Sequence, residues 1–166
     1  MFRLETPRLI LREMRSEDAT ELLRVFTDPR VMASFGAPPF DRVRMEAWVR
    51  RNLSHQGEYG YGLFAVIHKE DRMLIGDCGL EHMDVGAELG YDLRSDYWGR
   101  GLATEAACAV RDLAFADLQL KRLVSLIRVG NLASRRVAEK VGMSLAEQVE
   151  RNGVAYWLYA IDATRR

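Results

Sequence analysis

The sequence has no excess charge of either sign: 24 Lys and Arg are matched by 24 Asp and Glu. A general nucleic-acid binder needs a basic surplus to displace counterions, and a polybasic membrane-surface protein needs one to hold anionic lipid. Neither class fits, so no nucleic-acid or membrane partner is expected. No uncharged apolar run reaches the roughly 18 residues of a membrane-spanning helix. Arg3, Glu5 and Arg8 interrupt the opening MFRLETPRLILREM, so no signal peptide is expected and the location is read as cytoplasmic. Cysteine is scarce. Cys78 and Cys108 stand 30 positions apart without a CxxC partner, which suits buried, reduced thiols rather than a disulfide. His55, His68 and His82 have neither HxH nor HExxH spacing, so no metal is expected. The GxSxG elbow of serine hydrolases and the GxxxxGK(S/T) loop of NTPases are both missing.

What is present is 166 residues with 48% hydrophobic and 29% charged composition, enough for one core without a covalent staple. Without repeats or linkers, a single domain over 1–166 is expected. RLILRE (Arg8–Glu13) reads as a first strand. Ser16 reads as an N-cap for a helix through Ala19, Leu22, Leu23 and Phe26, stopped by Asp28-Pro29. Asp41 is placed to cap a second helix. Three strands follow, over Tyr61–His68, Met73–Leu80 and Glu88–Leu93. The spacing next predicts a small-faced amphipathic helix over Leu102–Leu118, a strand over Leu123–Val129 and a helix over Asn131–Val141 ended by Gly142. Asn152-Gly153 then joins a terminal hairpin, Leu145–Glu150 with Val154–Ile161. The order β-α-α-β-β-β-α-β-α-β-β implies an α+β fold: a mixed, mostly antiparallel sheet with one central parallel pair.

The chemistry concentrates in Tyr97-Trp98-Gly99-Arg100-Gly101-Leu102-Ala103-Thr104. This stretch follows a strand and opens a helix. Its glycines let the backbone approach a ligand, and the first-turn N–H groups and helix dipole favour phosphate. Arg100 adds positive charge and Thr104 a hydroxyl. A dinucleotide fold would want a third glycine where Thr104 stands and an acid at the end of the next strand, so an NAD-dependent oxidoreductase fits poorly. Taken alone, the glycine pair also fits a simple tight turn.

YWGRGLATEA together with NLASRRVAEKVGM (131–143) resembles the GNAT N-acetyltransferase superfamily, in particular its RimJ/RimL-like branch. ETPRLILREM, GYDL and YWLYAID resemble it too, so the likeness spans most of the chain. The resemblance implies acetyl-CoA as cosubstrate, an amine acceptor (a protein N-terminus or a small molecule), a splayed central strand pair and a monomer or homodimer, with the terminal hairpin available for pairing. The family's loop pattern Q/R-x-x-G-x-G/A falls on Trp98, Gly101 and Ala103, with Trp98 replacing Gln or Arg. The resemblance further implies that main-chain groups from Tyr91 to Leu93 bind the pantetheine arm, with the Leu93 amide near the thioester carbonyl. It places Ser134 by the coenzyme sulfur as proton donor, with Tyr91 or Tyr97 as rivals, and Asn131 both as cap and as coenzyme contact. Glu88 is the candidate base, with Asp77, Glu81 and His82 as alternatives. Arg135, Arg136 and Lys140 are candidates for the coenzyme phosphates, and Phe35, Phe40 and Trp48 for the acceptor wall. A non-catalytic acetyl-CoA-binding module is the other reading.

Net neutrality also hides a division. Residues 94–140 hold nine basic and five acidic side chains, and the remainder holds fifteen basic and nineteen acidic. A basic coenzyme half and an acidic half suited to a cationic amine are expected.

Overall fold

The computed structural model describes residues 2–164. Strands β1 (Arg3–Glu5) and β2 (Leu9–Glu13) precede helices α1 (Ala19–Phe26), α2 (Pro29–Met32) and α3 (Arg42–Tyr59). Strands β3 (Leu63–His68), β4 (Met73–Met83) and β5 (Gly86–Leu93) come next. Helix α4 (Leu102–Ala116), β6 (Arg122–Arg128), α5 (Leu132–Val141), β7 (Ser144–Arg151) and β8 (Val154–Asp162) complete the chain. They build one sheet in the order β1-β2-β3-β4-β5-β6-β8-β7, antiparallel throughout except at β5–β6.

Two apolar layers sandwich the sheet. On one face, Ala106, Ala107, Val110 and Ala114 of α4 pack on Leu80, Leu89 and Leu123. Their small side chains let the helix lie close to the strands. On the other face, Leu22, Val25 and Phe26 of α1 and Met45 and Val49 of α3 cover Leu63, Ala65 and Leu74.

Several sequence expectations hold with boundaries shifted by a few residues, and some do not. Ser16 is not the cap of α1: it opens a single 3-10 turn over Ser16–Asp18. There Asp18 accepts the Arg15 N–H at 2.8 Å and two bonds from the Arg12 guanidinium. Asp28-Pro29 stops α1 but also starts α2, because the Asp28 carboxylate caps the Arg30 N–H at 2.9 Å and proline is well suited to the first helical position. Asp41 caps α3 through the Arg44 N–H at 2.8 Å, as expected. Asn152 (φ 50°) and Gly153 (φ 76°) form the hairpin turn that twists with its strands.

Candidate active site

The parallel pair closes only briefly. Ala87 pairs with Leu123 and Glu88 with Val124, and beyond them β5 and β6 part. Arg94 N–H donates to the Ile75 carbonyl at 2.7 Å, which sets the alternation along β5. Asp92, Gly90 and Glu88 therefore turn their main chains to β4, and Leu93, Tyr91 and Leu89 turn theirs toward the gap. Side chains fill the apex where ladder bonds stop. Ser125 Oγ donates to the Leu89 carbonyl at 2.7 Å, and the Leu126 N–H donates to Glu88 Oε1 at 3.4 Å. At the open end the Trp98 indole N–H donates to the Leu93 carbonyl at 2.9 Å. The Tyr91 main chain and the Leu93 N–H remain facing the gap.

The loop leading from β5 to α4 is shaped by its glycines. Gly99 (φ 73°) and Gly101 (φ 76°) both take left-handed conformations that strain any other L-residue. Gly101 is the N-cap of α4 and brings no capping side chain. The first internal amide bond runs from Glu105 to the Gly101 carbonyl at 3.0 Å, so the N–H groups of Leu102, Ala103 and Thr104 precede any helical acceptor. That is a cradle for phosphate oxygens, and these residues fit a coenzyme pyrophosphate. The cradle is braced from two sides. Arg8 donates from Nη1 to the Arg100 carbonyl at 2.8 Å and from Nε to Glu105 Oε2 at 2.7 Å. Thr6 Oγ1 donates to Glu105 Oε1 at 2.6 Å. Burial works to raise the Glu105 carboxyl, but the bonds from Thr6 and Arg8 outweigh it and hold it below its ordinary value. On the second side the Tyr97 hydroxyl donates to Asp71, which also bonds His68 Nδ1 at 2.9 Å. Tyr97 thereby supports the loop, its hydroxyl proton engaged by Asp71. Arg100 is exposed, with Nη2 on the Asp96 carbonyl at 3.1 Å.

Across the gap, Asn131 caps α5 by accepting the Ser134 N–H at 3.2 Å. Ser134 Oγ donates to the Tyr91 hydroxyl at 3.2 Å, and Tyr91 donates on to the Ser134 carbonyl at 2.8 Å. The two hydroxyls, read in sequence as alternatives, form one pair. Burial pushes the Tyr91 phenol upward, so it stays protonated. Arg135 is occupied by Glu139 at 2.8 Å and lies over the Trp157 ring, whereas Arg136 and Lys140 are exposed.

The opposite face of the sheet carries acids. Glu88, Gly90 and Asp92 follow one another on one face of β5, and across β4 they meet Glu81, Gly79 and Asp77. Glu88 is no solvated strand end: burial raises its carboxyl above the ordinary value. Asp92 is pushed up to about 7, first by burial and then by Glu81 and Glu88. Asp77 is raised in the same way, by burial and by Asp92, and both its oxygens lack a hydrogen-bond partner. A cleft of about 350 Å³ opens beside Glu88, lined also by Glu81, His82, Arg51 and Arg151. His82 is exposed, stacked on Tyr59, and its own N–H is bound to His55 Nε2 at 2.8 Å. Sequence reading overlooked Asp92, although the alternation of ELGYDL puts a second carboxylate on the face of Glu88. Among the aromatics, Phe40 is buried in the core and Trp48 packs partly buried against it, their rings 5.1 and 5.2 Å from Phe26. Phe35 alone of the three is exposed, at 43%. It rides on a segment fastened at both ends of the gap. The Ser95 hydroxyl donates to the Asp28 carboxylate beside β5, and Gly36 lies against the Arg128 guanidinium at the end of β6.

A split parallel pair, with a phosphate cradle at its open end and raised carboxyls on its far face, defines a coenzyme-dependent acyltransferase. Residues 8–144 match the family described as "Acetyltransferase (GNAT) domain", and the chain belongs to that family, whose fold binds acetyl-CoA: it is an N-acetyltransferase. It is 36% identical over 137 residues to the N-acetyltransferase p20 of Bacillus licheniformis, covering 79% of this chain and 76% of that one. An acetyltransferase from Agrobacterium tumefaciens shares 30% identity at a TM-score of 0.84, covering 97% and 94% of the two chains. RimL, a ribosomal L7/L12 alpha-N-protein acetyltransferase solved with coenzyme A, has the same fold at TM-score 0.84 and 19% identity, over 98% of both chains.

Proposed function

We propose that the chain transfers acetyl from acetyl-CoA to a primary amine by direct attack within a ternary complex. The observation that carries this reading is the two-sided gap: free amides and a bonded hydroxyl pair on one side, carboxyls raised by burial on the other. The Leu102, Ala103 and Thr104 amides hold the pyrophosphate, with Gly99 and Gly101 shaping the turn and Arg100 and Arg136 supplying positive charge. The main chain of Tyr91 and Leu93 pairs with the pantetheine arm, and Trp98 fixes the strand end by holding the Leu93 carbonyl. The acceptor arrives from the acid face and gives a proton to Glu88, whose raised carboxyl makes it a better base near neutral pH. Its nitrogen attacks the thioester carbonyl while the Leu93 N–H supports the developing oxyanion. Ser134, backed by the Tyr91 hydroxyl and standing in the first turn of α5, gives a proton to the departing thiolate and regains one from the newly acylated nitrogen.

Two variants test this assignment through amine-dependent CoA release and acetyl-CoA titration. Gly101→Glu puts a side chain and a negative charge into the cradle and is expected to abolish acetyl-CoA binding; retained affinity rejects the loop. Ser134→Ala is expected to lower kcat by about 10²-fold, the scale of a general acid, with acetyl-CoA affinity little changed. Unchanged turnover at saturating substrates removes Ser134 from the scheme.

A further inference from the structure

The acid face holds more negative charge than one proton transfer requires. Asp77 and Asp92 stand directly opposite each other on β4 and β5, an arrangement that costs stability in a sheet. Asp77 is 1% exposed and neither of its oxygens has a partner. Asp92, beside it and partly accessible, has a carboxylate with no hydrogen bond or ion pair among the described residues. The cations of this face sit elsewhere: Arg51 binds Glu81 at 3.1 Å, and Arg151 lines the cleft next to Glu88. Between the two acid pairs lies Gly90, where an added Cβ would meet nothing within 4 Å. The face therefore reads, along β5, as carboxylate, open floor, carboxylate. Glu88 and Asp92 each stand two residues from Gly90, about 6.6 Å along a strand. A buried carboxyl pair without a counter-ion is completed by a cation brought by the ligand.

We propose that the acceptor is an aliphatic diamine or polyamine, one nitrogen of which is acetylated over Gly90 while a second, still protonated, is held by Asp92 with Asp77 behind it. The inference rests on the acetyl-transfer reading and adds the substrate class. The reacting nitrogen, an ammonium at the outset, loses one proton to Glu88, gains the acetyl carbon, and then loses a second proton, which replaces the one that the Ser134–Tyr91 pair gives up. The carbon–sulfur bond breaks, and the thiolate takes a proton from the Ser134–Tyr91 pair. The second nitrogen keeps its proton and its charge throughout. A free amino acid fits this face badly, because its carboxylate would join three others. A peptide N-terminus brings a single ammonium and leaves the Asp77–Asp92 end unfilled.

Putrescine and butylamine differ by one terminal amine and isolate the anchor. Calorimetric titration of each into the protein with CoA present reads binding without turnover, and CoA release from acetyl-CoA reads transfer. Putrescine is expected to bind at least about tenfold more tightly and to show about 100-fold higher kcat/KM. Asp92→Asn is expected to bring both ratios toward one, and Asp77→Asn to reduce them less. Removing one of two facing acids should raise the melting temperature, so melting curves of both variants verify that they are folded. Equal binding of the two amines, or ratios that survive Asp92→Asn, overturns the anchor. Faster transfer to an uncharged-side-chain peptide N-terminus than to putrescine also overturns it. Tight, Asp92-dependent putrescine binding without CoA release upholds the anchor and overturns the acetyl-transfer reading instead.

Discussion

Three carboxyls, Asp77, Glu88 and Asp92, are each raised above their ordinary values, with burial the largest cause. A carboxyl whose pKa is higher in the folded than in the unfolded chain binds its proton more tightly when folded. Between the two values the native state carries more protons than the unfolded one, so stability falls as pH rises. For Asp92 the window runs from the ordinary 3.8 to about 7. Melting temperature is therefore expected to decline from pH 5 to pH 8. Asp92→Asn should lift the curve most at pH 8 and less at pH 5, which lies only about a third of the way through that window. Differential scanning across that range checks this, and equal gains at both ends would mean that packing rather than ionisation sets the effect. The same residues argue that activity climbs with pH in the same interval, because deprotonation makes the acid face both a base and a cation binder. Stability and function thus pull these three side chains in opposite directions, as expected where a site rather than a core dictates residue choice.

At the level of elements, the donor loop is held by a segment far from it in sequence. Arg8, just before β2, ties the Arg100 carbonyl to Glu105, 92 and 97 positions along the chain. With that carbonyl turned outward to Arg8, the amides that follow are left to point at phosphate. Arg8→Gln is expected to raise the KM for acetyl-CoA about fivefold, the scale of a half-exposed ion pair with its hydrogen bonds, and to change kcat much less. An unchanged KM would show that Gly99 and Gly101 alone hold the loop. This contrast marks what was legible beforehand. The Asp41 and Asn131 caps, the Asn152-Gly153 turn and the glycine pair are local signals, and each fell where expected, whereas Ser16 opens a 3-10 turn instead of capping α1. Strand β1 is three residues long with charges at both ends, and only its pairing with β2 makes it a strand. Strand β4 runs on to Met83 and β5 starts at Gly86 because they pair with each other, a long-range cause that a window of sequence does not contain. The acid pair is the same kind of case: Asp77 and Asp92 are distant in the chain and are brought together only by register. The Ser134–Tyr91 bond likewise spans 43 positions, which is why the two read as rivals and fold as partners.

Across the whole molecule, the division of charge follows the division of labour. The segment from Arg94 to Lys140 supplies the glycine loop, α4, β6 and α5 and holds the basic surplus; Arg100 of the loop and Arg136 of α5 stand on the proposed donor side, whereas Lys121 and Arg122 stand at the closed end of the strand pair. The acidic surplus falls on residues 60–93, which supply β3, β4 and β5 and hold two basic and seven acidic side chains. Among the described strands the sheet parts only at β5–β6, and the proposed reaction brings donor and acceptor together through that gap. A neutral protein arranged this way attracts a polyanion and a polycation without attracting either to its whole surface. Salt discriminates this arrangement from purely local contacts. The screening length shrinks from about 10 Å at 0.1 M to about 3 Å at 1 M. Raising ionic strength over that range is expected to increase the KM for acetyl-CoA and for a diamine together, and to leave the KM for butylamine less affected because one ammonium is lost rather than two. kcat should stay nearly constant, since the buried Ser134–Tyr91 pair and Glu88 are shielded from the added ions. A KM for acetyl-CoA that does not respond to salt would place its recognition in the Leu102–Thr104 amides alone, with the surrounding arginines contributing solubility rather than affinity.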